Sequence, residues 1–187
     1  IPCANGLSML VAQAKLAGEI FTGTGIPEAE IDKMTEYIES MMKNIVLIGM
    51  PGCGKSSIGR ELSRLTGREF CDLDNAIEKR AGKSIPEIFS EGGEAAFRSI
   101  ETEILEEYSK KSGMILAAGG GIVTQVINKR LLRRNSICIW IKRDINELPT
   151  KGRPVSQAKG VEQIYAERLP LYMDFAEKEY DNCGIKE

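Results

Sequence analysis

The sequence predicts an α/β protein of three layers, in which a central parallel sheet of about five strands is flanked by helices and preceded by a helical appendage. Short apolar runs alternate with helical patterns from Asn44 onward, the order that is typical of a parallel sheet covered on both faces. The loops at Gly49, Asp72 and Gly119 each follow such a run. Because the carboxyl ends of parallel strands lie at one edge of a sheet, we expect these loops to share one crevice.

The first 42 residues form the predicted helical appendage. Residues 7–21 place apolar side chains at helical spacing on one face, the segment Gly23–Gly25 interrupts that pattern, and a second helix is predicted from about Pro27 to Met42. We therefore predict two domains, residues 1–42 and residues 43–187.

The elements of the second domain follow from periodicity and from helix-capping residues. The Ser84 and Glu87 pair has the spacing of a capping box at a helix start. Strands are predicted at 44–48, 70–72, 114–118, 136–142 and 179–182. Helices are predicted at 55–66, 75–81, 85–90, 94–111 and 126–134, with a final helical region broken at Pro170.

Composition excludes several classes of function. The 187 residues carry a net charge of −2 and have neither a dense basic block nor an apolar run long enough to span a membrane, so nucleic-acid and membrane partners are not expected. The absence of histidine excludes Ser-His-Asp and Cys-His catalysis, and leaves proton transfer to carboxylates and metal binding to hard ions such as Mg²⁺. Five scattered cysteines are typical of a reducing, cytoplasmic setting.

Residues Gly49–Ser56 fit the pattern Gly-x-x-x-x-Gly-Lys-Ser between a strand and a helix, which predicts a phosphate loop and a fold of the P-loop NTPase type. Glycines let successive backbone N–H groups face a phosphate, and the following helix adds its positive end. Lys55 is suited to the β- and γ-phosphates, and the Ser56 hydroxyl to Mg²⁺. Cys53 is either an oxidation-sensitive thiol or, as we prefer, a small residue that fits the loop.

Asp72 and Asp74 follow the second strand. One carboxylate is suited to orienting Mg²⁺ through water, and the other to accepting the proton of an attacking hydroxyl. The alternative is that Asp74 only caps the next helix, which leaves Asp72 unexplained.

Further candidates surround this site. Arg98 and Glu101 lie three residues apart on one helix face. They form either an exposed ion pair, or a pair in which Glu101 holds the Arg98 guanidinium in place for a substrate carboxylate. Gly119–Gly121 follows a strand, either as a tight turn or as a place where a ligand meets the backbone.

Two basic segments follow. Lys151–Pro154 is suited to closing over phosphates as a lid. Arg168 lies next to the helix break at Pro170, where it is either a binding residue or a surface residue.

Together these motifs resemble shikimate kinase. The phosphate loop, FCDLD, FRSIE, GGG, GRP and RLPLY occur in that family's order, from about residue 44 to the C-terminus. The resemblance implies an ATP site at Gly52, Cys53, Gly54, Lys55, Ser56, Ser57 and Arg153. It implies Mg²⁺ binding by Ser56 and, through water, Asp72; shikimate binding by Asp74, Arg98, Gly120 and Arg168; and catalysis by Asp74, Lys55 and Arg153. Members of the family usually continue past the last strand into a final helix, which this sequence does not show.

The implied function is ATP-dependent phosphorylation of the 3-hydroxyl of shikimate, in chorismate and aromatic amino acid biosynthesis. Another small-metabolite kinase, such as a gluconate kinase, is the enzymatic alternative, and a non-catalytic nucleotide-binding remnant is another. A GTPase switch is disfavoured because the only candidate guanine-reading segment, Asn128–Leu131, ends in leucine instead of aspartate.

Residues 6–23, GLSMLVAQAKLAGEIFTG, resemble the closing helix of shikimate dehydrogenase. In that family the glutamine that matches Gln13 contacts shikimate, but this chain has none of the dehydrogenase body to complete such a site. The resemblance implies that the appendage is the tail of a fused or neighbouring dehydrogenase. An unrelated amphipathic hairpin is the alternative.

Overall fold

The computed structural model describes residues 6–148 and 160–183. The chain divides into two compact units between Met42 and Lys43. The first unit is a helical hairpin of α1 (Leu7–Thr22) and α2 (Glu28–Met42). Its turn is held by the Glu19 carboxylate, which accepts a 2.7 Å hydrogen bond from the Ile26 N–H.

The second unit contains a five-stranded sheet with helices on both faces. Its strands are β1 (Asn44–Ile48), β2 (Phe70–Asp72), β3 (Ile115–Ala117), β4 (Ser136–Lys142) and β5 (Lys178–Asp181). Its helices are α3 (Lys55–Thr66), α4 (Leu73–Ala81), α5 (Ile85–Ser109), α6 (Val126–Asn135) and α7 (Val161–Phe175).

All four neighbouring strand pairs are parallel, in the order β2-β3-β1-β4-β5. In β1, Val46, Leu47 and Ile48 have no exposed surface, because helices cover both faces of the central strands. This is the reason that the strand reads as an uninterrupted apolar run. The predicted α/β fold is confirmed.

Two helices, α4 and α5, differ most from the sequence prediction. Helix α4 begins at Leu73 instead of Asn75, because the Asp72 carboxylate accepts a hydrogen bond from the Asp74 N–H and so caps the helix two residues earlier. Helix α5 combines the two predicted helices into one run with a break at Gly93, whose φ of 68° is not helical. The predicted capping box is present at its start, where Glu87 accepts from the Ser84 N–H at 2.8 Å.

In the described part of the chain, no helix has both the length and the apolar character needed to cross a bilayer.

Candidate active site

A cavity of about 550 Å³ lies where the loops after β1, β2 and β3 meet. Every predicted site residue among the described residues lines it, except Cys53. Those residues are Gly52, Gly54, Lys55, Ser56, Ser57, Asp72, Asp74, Arg98, Gly120 and Arg168. The expectation that loops at 49, 72 and 119 share one crevice is therefore correct, as the topology of a parallel sheet requires.

The phosphate loop turns sharply into α3. Gly54, which precedes the helix, has a φ of 100°, a conformation that L side chains rarely adopt. The Lys55 ammonium donates to the backbone carbonyls of Gly49 at 3.0 Å and Met50 at 2.9 Å, and the side chain is buried. The Cys53 side chain has no exposed surface, which supports its role as a small residue that fits the loop.

Ser56, at the start of α3, and Asp72, at the end of β2, place two oxygen atoms suited to metal binding side by side. The Ser56 hydroxyl donates to the Asp72 carboxylate at 2.5 Å. No cluster of three His, Cys, Asp or Glu side chains suited to a metal occurs within residues 6–148 and 160–183. A hydroxyl and one carboxylate fit a hard cation that takes its remaining ligands from phosphates and water, which is how Mg²⁺ usually binds with a nucleotide.

Asp74 lies in the first turn of α4 and lines the cavity. The alternative that Asp74 is the helix cap is wrong, since Asp72 performs that role. Burial, reinforced by the charge of Asp72, raises the pKa of the Asp74 carboxyl, although Lys55 and Arg98 act in the opposite direction. A carboxylate with a raised pKa is a better proton acceptor than an exposed one.

Arg98 and Glu101 form a buried ion pair, so the alternative of an exposed pair is wrong. The Arg98 Nη1 donates to Glu101 at 2.7 Å, and its Nη2 donates to Glu94 at 3.0 Å. The side chains of Arg98 and Glu101 are 8% and 0% exposed. Burial raises the pKa of the Glu101 carboxyl against the influence of Arg98, and one of its oxygens, Oε1, makes no hydrogen bond among the described residues.

The backbone of the glycine loop, Gly119–Gly121, lies close to the side chains of Asp74, Arg98 and Glu101. A Cβ on Gly119 would lie 2.7 Å from Glu101 Oε1 and 2.8 Å from Asp74 Oδ1. A Cβ on Gly121 would lie 2.5 Å from the guanidinium carbon of Arg98. A Cβ on Gly120 would lie 2.6 Å from Pro51. Close approach of neighbouring atoms therefore explains a glycine at each of the three positions, which a simple tight turn does not.

Helix α7 supplies Arg168, which is 6% exposed and lines the cavity. The alternative of a surface residue at a kink is therefore wrong. Arg153, predicted for the lid, lies outside the described residues.

Sequence reasoning missed several residues of the site. Arg143, at the end of β4, lines the cavity. Asn182, just after β5, donates from Nδ2 to the Cys53 carbonyl at 2.8 Å and so supports the phosphate loop. An apolar wall is formed by Ile85, Pro86, Phe89 and Phe97. The rings of Phe89 and Phe97 meet at 4.9 Å across the break at Gly93, so helical spacing does not predict their contact, and nothing local in the sequence indicated Asn182.

A phosphate loop that shares one cavity with two buried arginines and a half-buried aspartate defines a P-loop kinase for a small anionic acceptor. The comparisons with known proteins agree with that class. The family model described as shikimate kinase matches residues 51–184. The chain belongs to the shikimate kinase family.

Relatives and solved structures give the same result. The shikimate kinase of Acinetobacter baylyi is 38% identical over 144 residues, covering 72% of this chain and 80% of that protein. The shikimate kinase of Bordetella avium is 40% identical over 142 residues, covering 71% and 68%. The structure of the Acinetobacter baumannii enzyme in complex with shikimate matches with a TM-score of 0.71 at 33% identity, covering 78% of this chain and 86% of that chain. The prediction of an ATP-dependent kinase of the shikimate kinase family is confirmed.

Proposed function

We propose that this chain transfers the γ-phosphoryl group of MgATP to the 3-hydroxyl of shikimate. The observation that carries the proposal is the grouping of the buried Arg98 and Arg168 with the half-buried Asp74 in the cavity that the phosphate loop also lines. Two guanidinium groups suit one carboxylate, and a lone carboxylate beside them suits a hydroxyl. Shikimate carries a carboxylate and three hydroxyls.

The phosphate donor is held by the loop from Gly52 to Ser57. Its backbone N–H groups and the start of α3 bind phosphate oxygens, and Lys55 moves from the loop carbonyls to the β- and γ-phosphates. Arg153 of the lid is proposed to bind ATP and to stabilise the transferring group. Ser56, directly, and Asp72, through water, would hold Mg²⁺, which neutralises phosphate charge when bound.

The acceptor is held on the opposite side of the cavity. Arg98, fixed by Glu101, and Arg168 bind the carboxylate of shikimate, and backbone at Gly120 binds a hydroxyl. Asp74 accepts the proton of the attacking 3-hydroxyl, a role that its raised pKa favours. The enzyme thus positions both substrates and stabilises charge, as phosphoryl transfer demands.

The test is the release of ADP from MgATP with shikimate, with gluconate and with no acceptor. We expect release with shikimate alone, and its loss in Asp74→Asn, while Asp32→Asn on α2 behaves as the unchanged chain does. Release with gluconate instead would contradict the assignment of the acceptor. Binding of MgATP without turnover of either acceptor would support a non-catalytic remnant.

We also propose that the 1–42 unit is the tail of a shikimate dehydrogenase, fused to the kinase or neighbouring it. In support, α1 has five large apolar side chains that are at least 59% exposed, namely Met9, Leu10, Leu16, Ile20 and Phe21. An antibody against residues 6–42 should detect, in source cells, a protein longer than this chain by the mass of a dehydrogenase. Detection of a species of 20.6 kDa alone would oppose a fusion. We expect the enzyme to function in the cytoplasm, where its cysteines stay reduced.

A further inference from the structure

Tyr172 is a fully buried polar residue that the proposed chemistry does not use. Its hydroxyl donates a 2.5 Å hydrogen bond to the backbone carbonyl of Gly120. Its ring stacks on Trp140 of β4, with centroids 5.8 Å apart and planes inclined by 21°. Burial raises the pKa of the Tyr172 phenol, although Arg168 acts against it, so the hydroxyl remains a donor over the working range of pH.

The glycine loop has three carbonyls, and each is held. The Gly119 carbonyl accepts from the Ile122 N–H at 3.1 Å, and the Gly121 carbonyl accepts from the Thr124 N–H at 3.0 Å. These two bonds lie within the loop and its turn. The Gly120 carbonyl is the one that a side chain from another helix holds.

Holding that carbonyl fixes an N–H group as well. The chain has no cis peptide among its described residues, so the C=O and N–H of one peptide point in opposite directions. With the Gly120 carbonyl on Tyr172, the Gly121 N–H is directed away from Tyr172. Within residues 6–148 and 160–183, neither the Gly120 nor the Gly121 N–H donates a hydrogen bond, and both glycines line the cavity.

Tyr172 also ties two parts of the acceptor region together. It lies four residues after Arg168 on α7, so the two side chains project from the same face of that helix. A Cβ on Gly120 would lie 2.6 Å from Pro51, so the loop that Tyr172 holds also packs against the phosphate loop. Tyr172 therefore fixes the position of the glycine loop relative to Arg168, which lies on the same helix. Through Gly120 it also fixes the position of that loop relative to the phosphate loop.

We propose that Tyr172 is a positioning residue for the acceptor, which fixes the Gly120–Gly121 peptide so that its free N–H groups meet a substrate hydroxyl. The inference rests on the proposed function for the identity of that substrate. The mechanical role does not depend on the proposed function, because the hydrogen bond from Tyr172 to the Gly120 carbonyl carries it. Tyr172→Phe is the direct perturbation, since it keeps the ring on Trp140 and removes only the hydroxyl.

The first measurement uses the ligand-free full chain. Amide hydrogen exchange at Ile122 and Thr124 reports the loop's own hydrogen bonds, and we expect Tyr172→Phe to raise those exchange rates by about tenfold or more, the effect of one lost buried hydrogen bond. Tyr165→Phe, on the same helix but outside the cavity, should leave them unchanged. Equal rates in Tyr172→Phe and the unchanged chain would overturn the proposal, whatever the substrate is.

The second measurement separates positioning from general stability. We expect the KM for shikimate to rise by about ten- to hundredfold in Tyr172→Phe, because a buried carbonyl has lost its donor. Binding of MgATP in the absence of shikimate should stay within about twofold. Equal weakening of both ligands, or of neither, would overturn the proposal. Failure of the unchanged chain to use shikimate would instead contradict the proposed function, while the exchange rates would still decide the role of Tyr172.

Discussion

Substitution of Gly121 by alanine tests the proposed carboxylate site without removing a charge. Gly121 has a φ of −101°, which alanine adopts freely, so the backbone is not strained. The added Cβ would lie 2.5 Å from the guanidinium carbon of Arg98. Because the obstacle is the end of a flexible side chain, the fold survives and the guanidinium must move.

The size of that movement follows from the contact distance. Ordinary van der Waals contact begins near 3.4 Å, and Arg98 Nη2 lies nearer to the new Cβ than the guanidinium carbon does. The guanidinium must therefore retreat by at least about 0.9 Å (3.4 minus 2.5). Arg98 donates to Glu94 at 3.0 Å and to Glu101 at 2.7 Å. A hydrogen bond that lengthens by that amount is lost. We expect the displaced guanidinium to lose one charged hydrogen bond to the substrate carboxylate as well. That loss costs about 1.5–3 kcal/mol, which is about a 10- to 150-fold loss of affinity.

The assay is release of ADP with shikimate varied at saturating MgATP. We expect the KM for shikimate to rise by that factor in Gly121→Ala and the KM for MgATP to stay the same. An acceptor with a carboxamide in place of the carboxylate should discriminate little between Gly121→Ala and the unchanged chain. Gly25→Ala is the matched control, since a Cβ there meets nothing within 4 Å. An unchanged KM for shikimate in a stable Gly121→Ala protein would refute the role of Arg98.

Three further outcomes are expected. Asn182→Ala removes the donor to the Cys53 carbonyl and should raise the KM for MgATP by about three- to tenfold without changing that for shikimate, measured in the same assay. Asp74→Asn should abolish turnover yet raise the melting temperature at pH 8, by about 2–4 °C per kcal/mol regained. Burial and the Asp72 charge raise the pKa of Asp74 in the folded state, so ionised Asp74 opposes folding above that pKa, and the gain should vanish in acid, below its unfolded pKa. Ser56→Ala should raise the Mg²⁺ concentration needed for half-maximal activity by about tenfold.

The fold was predictable because its signals are local. The central strands are buried on both faces and therefore appear as unbroken apolar runs, and the phosphate-loop spacing marks the junction of β1 and α3. The start of α4 was misplaced by two residues because both Asp72 and Asp74 are good caps, and their order cannot be read from residue type. The structure resolves it through one hydrogen bond, from the Asp74 N–H to Asp72.

The motif residues of the site were also predictable, whereas their supports were not. Tyr172 holds a carbonyl 52 positions away, and Asn182 holds one 129 positions away. Tyr172 ends the RLPLY segment, but nothing in that segment indicates what its hydroxyl contacts, and Asn182 belongs to no motif. The two contacts form only in the folded chain, so no spacing rule predicts them.

The Arg98–Glu101 pair shows where sequence reasoning had an unused signal. Spacing of three residues places both groups on one helix face, but it does not say whether that face meets water or protein. The same face carries Phe97, Ile104 and Leu105, all buried, and an ion pair within such an apolar stripe is rarely exposed. Burial changes the energetics, because a guanidinium removed from water is stable only if carboxylates surround it. Arg98 also lines the cavity, and this is why we propose that its remaining N–H groups bind a carboxylate of the substrate.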